Sequence, residues 1–328
     1  MRDALTRLCL TLFAVLSLPA LALAADMGVI TGGERGTYYQ FGLNLQKLVK
    51  ESGINLSVYN SKGSVENIFA VYQRPGVQMG IVQADVLAFV ARVETDPVLK
   101  RIARKTRLVF PLYNEEVHLL GRRDITEFDG LADRRVAIGR EGSGTYLTAR
   151  LLFKISEINP REMVLIDTEE ALAALKAGRI DAMFYVVGFP AKLFTEHVTA
   201  EDKLALIPIL NKSITEFYPR AEIPANTYAW QPNPISTVAV KAALVSFDFR
   251  RAHCENVGRF AEILASNMAW LTNNGHPKWK AVTLDFPLKG WEQYDCVKKY
   301  LRKPVRTVPE QDAGINPVLE AIKQILGE

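Results

Sequence analysis

The sequence predicts an α/β protein of two lobes, each carrying a largely parallel sheet. Three observations lead there. From residue 27 onward, short apolar stretches alternate with segments of three-and-four apolar spacing, the pattern of strand–helix–strand units with right-handed crossovers. One extended apolar stretch at residues 107–122 interrupts the alternation, which restarts at residue 136. With 328 residues, 48% of them apolar and 23% charged, the chain has room for two cores of roughly 100–150 residues each.

Taken in order, MGVIT is a short strand, GGERG a glycine turn, and TYYQFGLNLQKLVKESG a helix ending at Gly53. INLSVYN alternates as a second strand, SKG turns, SVENIFAVYQ is helical with Ser64 as its N-cap, and VQMGIVQ is a third strand. RLVFPLYNEEVHLLGR is too long for one ordinary strand and contains Pro111; it reads as a strand, a link, and a second strand entering the other lobe. VAIGREGSGTYLTARLLFKISEI, MVLID, TEEALAALKAGRI and DAMFYVVGFP then repeat the plan as a second sheet. AEIPANTYAWQPNPIST, rich in Pro and Asn, is the expected return link, TVAVKAALVSF a strand, and the remainder largely helical. This divides the chain into a first lobe of residues 25–113 and 226–328 and a second of residues 114–225, one inserted in the other.

Residues 1–24 are of another kind. Arg2 and Arg7 precede the apolar run LCLTLFAVLSLPALALA, and Ala22-Leu23-Ala24 has the small-x-small form that a signal peptidase reads. This is a secretory leader, with cleavage expected between Ala24 and Ala25; an uncleaved anchor is the alternative. Export to an oxidising compartment favours a bridge between Cys254 and Cys296, the two cysteines beyond the leader, over two buried thiols. The formal net charge is +4 with no basic stripe or arm, which argues against nucleic acid as a partner.

Three glycine turns share one form: residues 32–37 (GGERGT), 62–64 (KGS) and 142–145 (GSGT), each after a strand and opening a helix. The first amides of a helix have no intrahelical partner, and the helix dipole places partial positive charge there. Such ends attract carboxylate or phosphate, and in an open parallel sheet they lie at the edge where ligands bind. Gly33, Gly36, Gly63, Gly142 and Gly144 remove bulk, while Thr37, Ser64, Ser143 and Thr145 add hydroxyls. Any one turn is equally well a plain helix cap; three of them divided between two lobes point to a shared anion site. A micromolar ligand needs about 8 kcal/mol, whereas one helix end contributes about 0.3–1 kcal/mol, so lobe closure and side chains must add the rest. Arg35, Tyr38, Gln83, Asp85, Glu115, Tyr146 and Phe189 stand at turns and strand ends as candidates. Arg35 suits a second carboxylate bidentately or is a solvated loop charge; Tyr38 and Tyr146 wall the ligand or belong to the core.

Catalytic chemistry finds little support. The first turn is not G-x-G-x-x-G, a P-loop is absent, and no HExxH, GxSxG or SxxK pattern occurs. His197 and His276 read as surface residues and His118 as a core histidine bonded to backbone. No His/Cys/carboxylate spacing suggests a metal, and no cofactor is expected. Ser143 between two glycines superficially resembles a nucleophile turn, but its flanks fit backbone anion binding better.

TGGERGTYYQFG, GSVENI, GIVQADV, PLYNEEVHLL, LADRRVAIGREGSGTYLTARLLF and ALKAGRIDAMFYVVGFP, in that order over residues 27–245, resemble the TAXI family. These are the extracytoplasmic solute receptors of tripartite ATP-independent periplasmic (TRAP) transporters. The resemblance implies the type II periplasmic-binding-protein fold, two α/β lobes joined by crossing hinge strands with ligand clamped between them. It further implies a small organic anion such as glutamate, glutamine or 2-oxoglutarate, delivery to a TRAP-type membrane permease without an ATPase, and a periplasmic, monomeric receptor. Carried over by position, the ligand loops fall on Gly33, Gly36, Thr37 and Tyr38, on Gly63 and Ser64, on Gln83 and Asp85, on residues 142–145, and on Gly188 and Pro190. The C-terminal DFPLKGWEQYDCVKKYL departs from the Leu-His-Pro-Gly-Ala-like segment of that family. A sensor or scaffold of the same fold, acting in signalling, is the alternative to transport.

Overall fold

A computed structural model describes residues 25–92, 96–249 and 253–301. The leader at 1–24 and the helical tail expected after residue 301 lie outside the described residues. The first units follow the apolar periodicity: β1 (Ala25–Ile30), α1 (Thr37–Lys50), β2 (Ile54–Tyr59), α2 (Ser64–Gln73) and β3 (Met79–Gln83). On α1, Tyr38, Phe41, Leu45 and Val49 form the buried stripe, and all of β3 is buried, as a parallel strand covered on both faces must be. Two helices not anticipated, α3 (Ala84–Arg92) and α4 (Pro97–Lys105), lead into β4 (Thr106–Arg122). The second half builds β5 (Arg135–Ala137), α5 (Gly144–Ser156), β6 (Glu162–Val164), α6 (Thr168–Lys176), β7 (Ala182–Val187) and α7 (Lys192–His197). It continues through β8 (Leu204–Leu206), α8 (Lys212–Phe217), β9 (Arg220–Ile223) and β10 (Ile235–Phe247), and α9 (Cys254–Ser266), α10 (Met268–Asn274) and α11 (Asp295–Tyr300) close the described chain.

The strands form one path, β2-β1-β3-β10-β4-β7-β5-β6, with β8 on β4 and β9 on β10. Two separate sheets were expected; one curled sheet is found, because β4 and β10 run through both lobes. β4 is a single strand of 17 residues, not two strands and a link. Pro111 is accommodated opposite Ala243, where the β4–β10 register slips between Lys241 and Ala243, so its missing N–H falls at an irregular point of the ladder. On either side of this antiparallel pair, β1 lies parallel to β2 and β3, and β5 parallel to β6 and β7. This is the two-lobed α/β architecture of the type II periplasmic-binding-protein fold.

Each lobe has its own core. Met27, Phe41, Leu45, Phe110 and Leu244 pack with Val257, Phe260 and Trp279 of the C-terminal region. Val136, Leu151, Phe153 and Phe184 pack with Val238 and Val240, while Tyr228, Trp230 and Ile235 join Phe194 on the other face. Residues 226–240, assigned above to the first lobe, therefore pack with the second. The reason is the register of β10, whose Ile235–Val238 stretch pairs with β9 before Ala242–Ser246 pairs with β3. Cys254 and Cys296 are bridged, Cα to Cα 5.4 Å, tying α9 to α11 as the sequence anticipated.

Candidate ligand cleft

The three glycine turns meet. The N-termini of α1 and α2 from one lobe and of α5 from the other open onto a single cleft of about 230 Å³. That volume lies below the roughly 300–1,000 Å³ typical for drug-sized ligands and suits a small metabolite. Neither Gly36 nor Gly63, the N-caps of α1 and α2, supplies a side-chain cap. Ser64, expected as the N-cap, is instead the first helical residue, and its Oγ accepts the Gln83 backbone N–H at 3.1 Å. α5 is capped by Ser143, whose Oγ accepts the Tyr146 N–H at 3.1 Å, which accounts for that serine without a nucleophilic role.

Two glycines are required by contact. Gly63 has φ +129°, and a Cβ there would stand 3.3 Å from the Gly144 nitrogen across the cleft. A Cβ on Gly144 would lie 1.5 Å from Gln83 Oε1. The lobes thus approach backbone to backbone, and no larger residue fits between them.

Of the residues proposed from sequence, Gly33, Arg35, Gly36, Thr37, Tyr38, Gly63, Ser64, Gln83, Glu115, Ser143, Gly144 and Thr145 line this cleft. Others have different places. Asp85 is buried behind it, where Oδ2 accepts Thr148 Oγ1 at 2.6 Å and Tyr218 Oη at 3.3 Å from the opposite lobe. The Gly142 carbonyl accepts the Glu66 N–H at 3.1 Å, and the Gly188 carbonyl accepts Thr37 Oγ1 at 2.6 Å. Tyr146 turns its hydroxyl to Arg150 at 2.7 Å, and Phe189 lies 3.6 Å under Lys278 Nζ. Arg35 lines the mouth but is already engaged: NH1 is 2.5 Å from Glu169 and Nε 3.5 Å from Glu196, both in the second lobe. Its guanidinium bridges the lobes.

Sequence reasoning passed over Lys62 and Arg140. Both are exposed side chains lining the cleft, neither makes an ion pair among the described residues, and each lies inside or beside a glycine turn already singled out. Tyr185 and Leu193 add an aromatic and an apolar wall from the second lobe. They come from a strand and a helix with no distinguishing motif.

The cleft floor carries Glu115, 3% exposed, whose Oε2 accepts Tyr38 Oη at 2.5 Å. Burial first, then the nearby Asp85 and Glu116 charges, hold its carboxyl well above the usual glutamate range. Its neighbour Glu116 faces away and pairs both oxygens with buried Lys278 at 2.7 Å. His118 is a core residue: Nδ1 lies 3.0 Å from the Glu116 carbonyl, and burial pushes its pKa down to about 4. His276, expected at the surface, is half-buried; its Nδ1 accepts the Lys278 N–H at 3.1 Å and its Nε2 lies 3.4 Å from the Pro190 carbonyl. No group of three metal-ligating side chains occurs among the described residues.

Solved structures share the architecture. MatC from Rhodopseudomonas palustris, solved with bound malate, aligns at a TM-score of 0.52 over 92% of this chain and 97% of its own, at 15% identity. A protein of Bordetella bronchiseptica RB50 aligns at 0.51 over 93% and 89%, at 14% identity. A structure described as a periplasmic transporter aligns at 0.52 over 76% and 84%, at 15% identity. At such identities the likeness is one of fold. The family model for NMT1-like proteins matches residues 29–278, a span that includes both lobes and every wall of the cleft. The chain belongs to the NMT1-like family.

Proposed function

We propose that this protein is an extracytoplasmic receptor of the TAXI kind, which captures a small carboxylate by lobe closure and hands it to a TRAP-type permease. The observation that carries this reading is the convergence of three helix N-termini from two lobes on one cleft. Backbone amides at α1 and α2 lack side-chain caps, and Lys62 and Arg140, without ion pairs among the described residues, supply positive charge at the rim. An anion seated there completes the caps from outside the chain. The malate held by MatC, similar in fold, favours a carboxylate over phosphate. Residues 1–24 act as the leader to the periplasm, the receptor works as a monomer, and its chemistry is binding without turnover. The lobes divide within the two shared strands, near Asn114 on β4 and Lys241 on β10, and these strands bend as the hinge.

A thermal-shift screen of the mature protein over amino acids, oxo acids and dicarboxylates tests this. A ligand at a hundred times its Kd adds about 2.7 kcal/mol, several degrees in Tm for a protein of this size. Stabilisation by at least one carboxylate is the expected result; stabilisation by none, or only by phosphate esters, overturns the reading.

A further inference from the structure

The two ends of the cleft are chemically unlike. Its rim has cations and open helix ends, whereas its floor has acceptors. Glu115 lines the floor with a neutral hydroxyl, that of Tyr38, as its hydrogen-bond partner. The cation that acts on it is Lys278, on the segment Pro277–Ala281, whose ammonium is paired with both oxygens of Glu116. The other titratable groups acting on Glu115 are Asp85, at the start of α3, and Glu116; Glu115 in turn acts on Tyr113 of β4 and Tyr185 of β7. None of these is a cation. A second acceptor lies nearby: Gln83 is 2% exposed, lines the same cleft, and its Oε1 has no hydrogen-bond partner. Gln83 and Glu115 flank β10 opposite Ala242 and Val240, two residues apart on one strand, so they share a face of the sheet. A buried acid whose neighbouring cation is paired elsewhere and an orphaned buried acceptor are both costly until a donor arrives.

We propose that Glu115, with Gln83 Oε1 beside it, is the floor subsite for a hydrogen-bond-donating group of the solute. The solute is then a monocarboxylic acid bearing an ammonium or hydroxyl group, not a plain dicarboxylate or an oxo acid. This rests on the carboxylate-receptor reading above. The carboxylate sits at the helix ends and the donor points inward, reaching Gln83 Oε1 by a small parting of Gly144 from Gln83. A second carboxylate on the floor would meet two acceptors, Glu115 and Gln83 Oε1, with the Lys278 ammonium already paired to Glu116.

The test is calorimetry at pH 7.5 with acids differing only at C2: norvaline, 2-hydroxyvalerate, 2-oxovalerate and valerate, the alanine, lactate, pyruvate and propionate set, and glutarate. The amino or hydroxy acid of one set should bind at least ~10-fold more tightly than its oxo and unsubstituted counterparts and than glutarate. Glu115→Gln, with folding checked by circular dichroism, should compress the preference. A dicarboxylate or oxo acid binding as tightly as the donor-bearing acid, or a Glu115→Gln protein with unchanged selectivity, overturns the proposal while leaving a carboxylate receptor intact. If no carboxylate binds at all, the receptor reading fails and this one with it.

Discussion

At the scale of single residues, backbone access decides the site. A side chain on Gly144 has nowhere to go, since its Cβ would fall on Gln83 Oε1 and near Ser64 Oγ. Gly144→Val should abolish the ligand-induced rise in Tm, while overpacking lowers the unliganded Tm by an amount corresponding to about 1–3 kcal/mol. A preserved ligand shift in thermal unfolding would contradict the close-approach account. Arg35 illustrates the opposite outcome. Placed beside a glycine turn, it suited a bidentate carboxylate contact, but its charge is committed to Glu169 and Glu196 across the mouth. Arg35→Ala should therefore speed ligand release in stopped-flow measurements for every ligand alike, with little change in Tm because the pair is exposed. Loss confined to one ligand class would restore the earlier role.

At the scale of elements, α3 is the clearest case of a piece that couples the lobes. Its first turn carries Asp85, bonded to Thr148 on α5 and to Tyr218 just after α8. Burial, opposed by those hydrogen bonds, pushes the Asp85 carboxyl up to about 6 from an ordinary aspartate value of 3.8. The sign follows from proton uptake: between these values the folded state binds more protons than the unfolded, so this group makes stability rise as pH falls from about 7 toward 4. Above pH 6 the ionised form carries an unfavourable contribution of about 3 kcal/mol. Asp85→Asn removes the charge, keeping an oxygen for the Val86 N–H and turning its amide N–H groups to the Thr148 and Tyr218 hydroxyls, which then accept; it should raise Tm at pH 7.5 relative to its effect at pH 4.5, as seen by calorimetry across that range. An equal change at both pH values would show that the charge does not matter. α2 and α5 make the companion contact, where Gly63 meets Gly144 and the Glu66 N–H reaches the Gly142 carbonyl. These are turn-to-turn contacts that no periodicity encodes.

For the whole molecule, the shared strands β4 and β10 make the two lobes one sheet, and the C-terminal region braces the first of them. Trp279 stacks on Phe41 at 4.0 Å, Asn44 Oδ1 accepts both the His276 and Trp279 N–H groups, and the disulfide closes a separation of 42 residues. On the chain-entropy model the bridge contributes roughly 3–4 kcal/mol. Cys254→Ser/Cys296→Ser should lower Tm by several degrees, and thiol titration of exported wild-type protein should find no free cysteine. Two titratable thiols, or an unchanged Tm, would contradict the bridge. Because the bridge joins α9 to α11 away from the cleft, ligand affinity should be preserved in the double variant.

How much was legible in the sequence divides along the range of the forces involved. Alternating periodicity and glycine punctuation are local, so β1 to β3, α1, α2, α5, α6, and the three turns at the cleft were all readable in chain order. The glycines and hydroxyls at those helix starts followed, because a helix start after a strand has few places to face in a parallel sheet. Which charge pairs with which was not local. Arg35 went to Glu169, Asp85 went behind the cleft, and Glu115 was left facing it with Tyr38, all through partners 63 to 134 positions away. The sequence alone determined two α/β halves with glycine-opened helix mouths; only tertiary structure decided that one sheet joins them and that the cleft floor is acidic. Strand continuity and burial of charge depend on neighbours brought together by the fold, and those leave no periodic trace in the chain.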